Sequence, residues 1–135
     1  MRAHTYRRML RAKIHRAVVT DANLDYEGSL TMPPDIMNLV DIREYEAISV
    51  WNVTKGTRFE TYAITGTANT RDFTVNGAAA HLAKKGDIII IASFADVPEE
   101  NLGAFHPLVV FMDEHNRPVR TGKEVPGPER VHPGC

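Results

Sequence analysis

The chain has 135 residues, 43% of them apolar, which is enough for one domain with a true core and too few for two. Its 16 basic and 17 acidic residues nearly cancel, excluding a global field that would draw the protein to nucleic acid or an anionic membrane. One cysteine, Cys135, excludes an internal disulfide framework and suits a reducing compartment such as the cytoplasm.

Residues 1–8 are polar and without period, and Arg2, Arg7, Arg8, Arg11, Lys13 and Arg16 crowd the first sixteen positions. This start lacks the apolar run of a secretory signal, no stretch of the chain approaches a membrane-spanning length, and residues 1–8 are expected to be a disordered extension. Residues 10–20 alternate as a half-buried strand does, with Leu10, Ala12 and Ile14 on one face and Lys13, His15 and Ala17 on the other. Turn formers fill residues 21–29, a short strand is expected at 30–32, and Pro33-Pro34-Asp35 punctuates. Ile36, Leu39 and Val40 then fall at i, i+3 and i+4, the apolar face of about two helical turns opened by the prolines.

Residues 47–54 and 57–64 read as two strands of a hairpin turning at Lys55-Gly56. After a polar loop at 66–72 come a brief strand at 73–75, the turn signal Asn76-Gly77 and one helical turn at 78–82. The unbroken apolar run 88–92 predicts a central strand buried on both faces, and 108–112 predicts another strand. Beyond Asp113 the chain turns charged and rich in Pro and Gly, so residues 113–135 are expected to be a tail, draped over a neighbouring subunit or disordered. Many short strands, brief helices and frequent turns favour a mainly β fold, a small closed barrel, over a sandwich or an α/β sheet.

The chemistry centres on Tyr26-Glu27-Gly28-Ser29. A serine hydroxyl can attack the carbonyl of the preceding residue and convert the amide to an ester when a turn presents that carbonyl. Gly28, lacking a Cβ, tolerates unusual backbone angles and lets the serine oxygen approach. A Gly-Ser pair alone marks nothing more than a turn. At Asn76-Gly77-Ala78-Ala79, backbone N–H groups opening a helix beside small side chains would suit an anion, although from sequence alone a plain tight turn is the commoner meaning of such a stretch. The histidines have no ligand-like spacing and no cysteine partner, so no metal is expected.

Around that pair, Ala12-Lys13-Ile14-His15-Arg16, Trp51-Asn52-Val53-Thr54, Arg58-Phe59-Glu60-Thr61-Tyr62, Val75-Asn76-Gly77-Ala78-Ala79-Ala80-His81 and the run 86–94 keep the order and spacing of a known family. Together they resemble the pyruvoyl-dependent aspartate α-decarboxylases over about residues 9–112. The resemblance implies a six-stranded double-psi β-barrel over 9–112, assembled as a homotetramer with sites between subunits. It implies cleavage after Gly28 into a β chain, 1–28, and an α chain, 29–135, that carries a pyruvoyl group made from Ser29; neither pyridoxal phosphate nor a metal is needed. L-Aspartate would condense with that ketone as an imine and leave as β-alanine and CO2, feeding pantothenate and coenzyme A synthesis. Some relatives mature with the help of a partner protein.

By the same resemblance Thr61 polarises the Gly28 carbonyl during self-cleavage, a role in which one lost donor is worth about 2.7 to 4 kcal/mol of barrier. Arg58 holds a substrate carboxylate, Tyr62 donates the proton that quenches the product carbanion, and Lys13 and His15 form a positive wall. Trp51 lines the pocket, the 76–79 turn binds substrate, and Tyr26 stands by the cleavage point. Strict alternation puts Thr61 on the face opposite Arg58 and Tyr62, so either a bulge intervenes or the two faces serve different sites. The alternative from another class is a non-catalytic barrel that binds a ligand or partner; such a member would be expected to lose Ser29, Arg58 or Tyr62, and all three are present. A conventional serine hydrolase is disfavoured because Ser29 lacks a Gly-x-Ser-x-Gly setting.

Overall fold

A computed structural model describes residues 4–122. Its elements are β1 (Tyr6–Val18), β2 (Asp21–Asn23), β3 (Ser29–Met32), α1 (Pro34–Val40), β4 (Ala47–Asn52), β5 (Arg58–Thr65) and β6 (Thr74–Asn76). A 3-10 turn (Gly77–His81), β7 (Ile88–Pro98), a second 3-10 segment (Glu99–Ala104), β8 (Leu108–Met112) and β9 (Pro118–Gly122) complete them.

The strands form one mixed sheet in the order β2, β6, β3, β5, β4, β7, β1, β8, β9. On a flat sheet β2 and β1 would lie six strand spacings apart, about 29 Å. Yet Val19 and Thr20 alone connect them, a link that reaches about 10 Å at most. The sheet therefore curls on itself, and Thr20 N donates to Phe73 O at 2.9 Å across the join. Counted this way, β6, β3, β5, β4, β7 and the continuous β1–β2 segment make a closed ring of six, with the β8–β9 hairpin beside β1. Three pairs, β1–β8, β2–β6 and β3–β5, are parallel and the rest antiparallel. The interior is filled by fully buried Ile14, Leu30, Met32, Val50, Phe73, Val75, Ile89, Ile91 and Val110. Among the described residues no helix is long and apolar enough to cross a membrane, and no three His, Cys, Asp or Glu side chains are grouped to hold a metal ion.

Several expectations are corrected. Residues 6–8 are strand rather than disordered, because Tyr6, Arg7 and Arg8 pair with Pro98, Val97 and Asp96 of β7; residues 1–3 lie outside the described residues. Arg16 takes a φ of 69°, and the resulting register shift between Ile14 and Ala17 turns Ala17 into the core instead of leaving it beside Lys13 and His15. In α1 the buried side chains are Ile36, Met37 and Val40, while Leu39 is exposed, because the helix is short and the face it buries is set by packing against β8 and β1. The apolar run at 88–92 is not buried on both faces: Ile89, Ile91 and Ala92 are buried, but Ile88 and Ile90 are only half-buried on the outer wall. Of the expected tail, residues 118–122 form β9 against β8, and residues 123–135 lie outside the described residues.

A buried polar clasp ties the segment after Gly77 to the β4–β5 hairpin. Asp87 Oδ2 accepts from Asn52 Nδ2 at 2.9 Å and from Lys84 N at 2.9 Å, with Lys55 Nζ at 3.2 Å. Asn52 Nδ2 and Thr57 Oγ1 also donate to Leu82 O, at 3.0 and 2.7 Å. Burial raises the Asp87 carboxyl's affinity for its proton, but the Lys84 amide, Asn52 and the Lys55 ammonium outweigh it and hold the pKa below the ordinary aspartate value. A depressed folded-state pKa contributes stability that is complete above the unfolded value, about 3.9, and is lost as the pH falls through the folded one. Asp87→Asn should therefore destabilise the fold by about 1 to 3 kcal/mol at neutral pH, and the deficit should shrink as the pH falls below about 4. Urea unfolding from pH 7 to 3 measures it; a deficit independent of pH would show that the carboxylate's charge contributes nothing.

Candidate active site

Ser29 opens β3 and is 5% exposed. It faces Asn76 across the antiparallel β3–β6 pairing, so their side chains share one side of the wall. Asn76 Nδ2 donates to Ser29 Oγ at 3.1 Å and to Thr31 Oγ1 at 3.0 Å. Ser29 Oγ in turn donates to Glu27 O at 3.3 Å, which fixes the hydroxyl between one donor and one acceptor. Asn76 is itself 6% exposed, and its Oδ1 is buried with no hydrogen-bond partner among the described residues. Upstream, Asn23 Oδ1 accepts from Asp25 N at 3.0 Å, an Asx turn that aims the chain towards Gly28; Tyr26 is 64% exposed beside it.

The steric requirement falls on a different glycine from the one expected. Gly28 is not in the positive-φ region, and beyond its chain neighbours a Cβ there would meet only Asn76 O, at 4.0 Å. Gly77 has a φ of 71°, and a Cβ there would lie 2.6 Å from Gly28 N and Cα and 2.8 Å from Tyr26 O. The Gly77 α-carbon thus presses against the backbone of Gly28 and Tyr26, while the Asn76 side chain holds Ser29 Oγ.

The β4–β5 register runs without a shift from Ala47↔Tyr62 to Trp51↔Arg58, so the bulge considered for Thr61 is absent. Thr61 lies opposite Ile48, on the core side with Ala63 and its β3 neighbour Leu30. Arg58 and Tyr62 share the other side, the one that Ser29 and Thr31 occupy on β3. Exposed Arg58 sits over the Trp51 ring at 5.3 Å, and Tyr62 packs near Tyr45 with ring centroids 6.3 Å apart. Trp51 also meets Phe94 of β7, at 6.4 Å. Lys13 and His15 sit on the outer side of β1, where His15 packs edge-on against Phe111 at 5.4 Å. Ala78 is exposed and Ala79 half-buried in the 3-10 turn.

The structure brings Gly28, Ser29, Asn76 and Gly77 together and sets Tyr62 and Arg58 on the neighbouring strand's matching face; Lys13 and His15 are on another part of the wall. Sequence reasoning missed Thr31 as a partner of Asn76, although its place two residues after Ser29 puts it on the same face. It also missed Tyr45, whose loop position carries no periodic signal and whose φ of 71° is set by the turn leading into the hairpin.

Comparison with known proteins gives the family. The family model described as aspartate decarboxylase matches residues 5–119. An aspartate 1-decarboxylase of Legionella pneumophila (strain Paris) is 58% identical over 112 residues, covering 83% of this chain and 84% of that protein. Proteins of the same name from Rhodopirellula baltica and Myxococcus xanthus are 51% and 52% identical, covering 91% and 90% of this chain and 79% and 95% of their own. With the match spanning the barrel and both halves of the Gly28-Ser29 and Asn76-Gly77 contact, the chain belongs to the aspartate decarboxylase family.

Proposed function

We propose that this chain is a self-processing enzyme that decarboxylates L-aspartate to β-alanine and CO2, using a pyruvoyl group made from Ser29. The observation that carries the reading is the Asn76-Gly77 grip on Gly28-Ser29, in a chain that shares family and name-bearing relatives with aspartate 1-decarboxylases. The residues fit such a group: Asn76 Nδ2 is a donor beside residue 29, and the buried Asn76 Oδ1 has no hydrogen-bond partner among the described residues. A ketone attached there supplies the electron sink that amino-acid decarboxylation needs and that no ordinary side chain offers.

Processing proceeds on the chain's own atoms. Ser29 Oγ bonds to the Gly28 carbonyl carbon, the Gly28–Ser29 C–N bond breaks, and the hydroxyl proton passes to the Ser29 nitrogen, leaving an ester. Loss of the Ser29 α-proton expels the Gly28 carboxylate, and water then replaces the nitrogen, released as ammonia. Thr61 is proposed to polarise the Gly28 carbonyl; its core-side position makes it the assignment most dependent on the family likeness. Arg58 binds a carboxylate of aspartate, Lys13 and His15 add positive charge, and Trp51 with the 76–79 turn shapes the pocket. Tyr62 delivers a proton to the substrate α-carbon after CO2 leaves.

Ser29, Tyr62 and Arg58 face outward on β3 and β5, and Lys13 and His15 face outward on β1. Side chains on a convex wall diverge, so a pocket that uses all of them needs the wall of a second copy; this supports sites shared between copies, and the homotetramer itself rests on the family likeness. A cytoplasmic location, a link to pantothenate and coenzyme A synthesis, and a maturation partner belong to the same reading.

Intact-mass analysis of purified protein, paired with a β-alanine assay, tests it. Two fragments are expected, the larger lighter than a serine-started chain by one ammonia. A single full-length species that still forms β-alanine would overturn the reading. Tyr62→Phe should leave cleavage unchanged and lower kcat by about 100- to 10,000-fold, the range of a lost proton donor; turnover at the parent rate would remove Tyr62 from that role.

A further inference from the structure

We propose that Gly77 is a positioning residue for self-cleavage, a bare seat that sets where the acyl half of the scissile peptide lies. The proposal rests on the self-processing reading above and gives this residue a task distinct from contacting substrate. The dipeptide Asn76-Gly77 holds the reacting bond from both sides. Asn76 Nδ2 holds the attacking oxygen, Ser29 Oγ, at 3.1 Å, and the Gly77 α-carbon faces the backbone of Tyr26 and Gly28 on the acyl side. A Cβ at Gly77 would come within 2.6 Å of two Gly28 backbone atoms, so Gly28 would have to move by roughly 1 Å to restore ordinary contact. The obstructing atoms are main chain and cannot rotate aside. A displacement of that size at a reacting centre slows a step by about 100-fold. The oxygen would stay with Asn76 while its target carbonyl shifted.

Strain from a positive φ must be separated from loss of the seat. Gly56, in the β4–β5 turn, has a φ of 78° and nothing within 4 Å of where a Cβ would stand, so Gly56→Ala introduces the same backbone strain with no contact. Freshly synthesised precursors of the parent chain, Gly77→Ala and Gly56→Ala are compared by time-resolved intact mass and by thermal unfolding. The expected result is cleavage about 100-fold slower in Gly77→Ala and at the parent rate in Gly56→Ala, with the larger loss of Tm in Gly77→Ala, whose Cβ adds a main-chain contact to the shared strain. Equal slowing in both variants, or parent-rate cleavage in Gly77→Ala, would overturn the proposal.

The same pair is also compared on an uncleavable Ser29→Ala background, where the Gly28 amide resonance reports position without any reaction. Gly77→Ala should shift that resonance and Gly56→Ala should not. Failure of Gly77→Ala to fold there would make the glycine a folding requirement and end the positioning claim. If the parent chain does not cleave even when a cell lysate supplies a maturation partner, the self-processing reading fails; if it cleaves and Gly77→Ala cleaves equally fast, only the seat fails.

Discussion

Ser29→Ala is expected to give one full-length chain by intact mass and β-alanine formation no faster than the uncatalysed background. The size of the effect follows from the chemistry. A hydrogen replaces the hydroxyl that Asn76 Nδ2 and Glu27 O hold in place, so no oxygen remains to take the Gly28 acyl group. Without the ester there is no leaving carboxylate, and the ketone that stabilises the decarboxylated carbon never forms. Cleavage and turnover must vanish together. Folding should survive, because the side chain contributes only two hydrogen bonds at a strand end, worth about 1 kcal/mol each. Turnover retained in a folded Ser29→Ala protein would refute the central assignment, and circular dichroism supplies the folding control.

Asn116→Ala is expected to lower stability by roughly 4 kcal/mol, a large share of the 5 to 15 kcal/mol that holds a domain together. Asn116 is 2% exposed in the turn between β8 and β9 and closes that turn onto β1. Its Oδ1 accepts from Val18 N at 2.7 Å, and its Nδ2 donates to Val18 O and Arg71 O, both at 2.9 Å. Alanine would leave three backbone groups short of a partner, at about 1 kcal/mol each, and would add about 1 kcal/mol of strain at a φ of 58°. Asn116→Gly removes the same bonds without the strain and should recover about that last 1 kcal/mol. Chemical denaturation separates the two. An Asn116→Ala protein within about 0.5 kcal/mol of the parent would show that the turn does not anchor β1.

That residue lies in a segment which, by composition, reads as a polar tail. Its hydrophilic character is real, since every residue of β9 is exposed, but exposure does not prevent an edge strand from pairing with β8. The same limit explains residues 6–8, polar side chains whose backbone is ordered by β7. Period and composition register what side chains bury; they are silent on which backbone finds a neighbour. Ala17 and Leu39 failed for a related reason, because a positive φ at Arg16 and the end of a short helix reset the phase that alternation assumes.

The sequence by itself determined a mainly β domain, the β4–β5 hairpin, the Asn76-Gly77 turn and, through motif order, the family, because these rest on local turn chemistry and on residue types at fixed spacing. The tertiary structure alone decided that Thr61 looks towards the core while Arg58 and Tyr62 share the side of Ser29, and that the glycine with no room for a Cβ is Gly77 rather than Gly28. Each of these depends on contacts between strands distant in sequence, and a single chain read in order carries no measure of how closely two backbones approach.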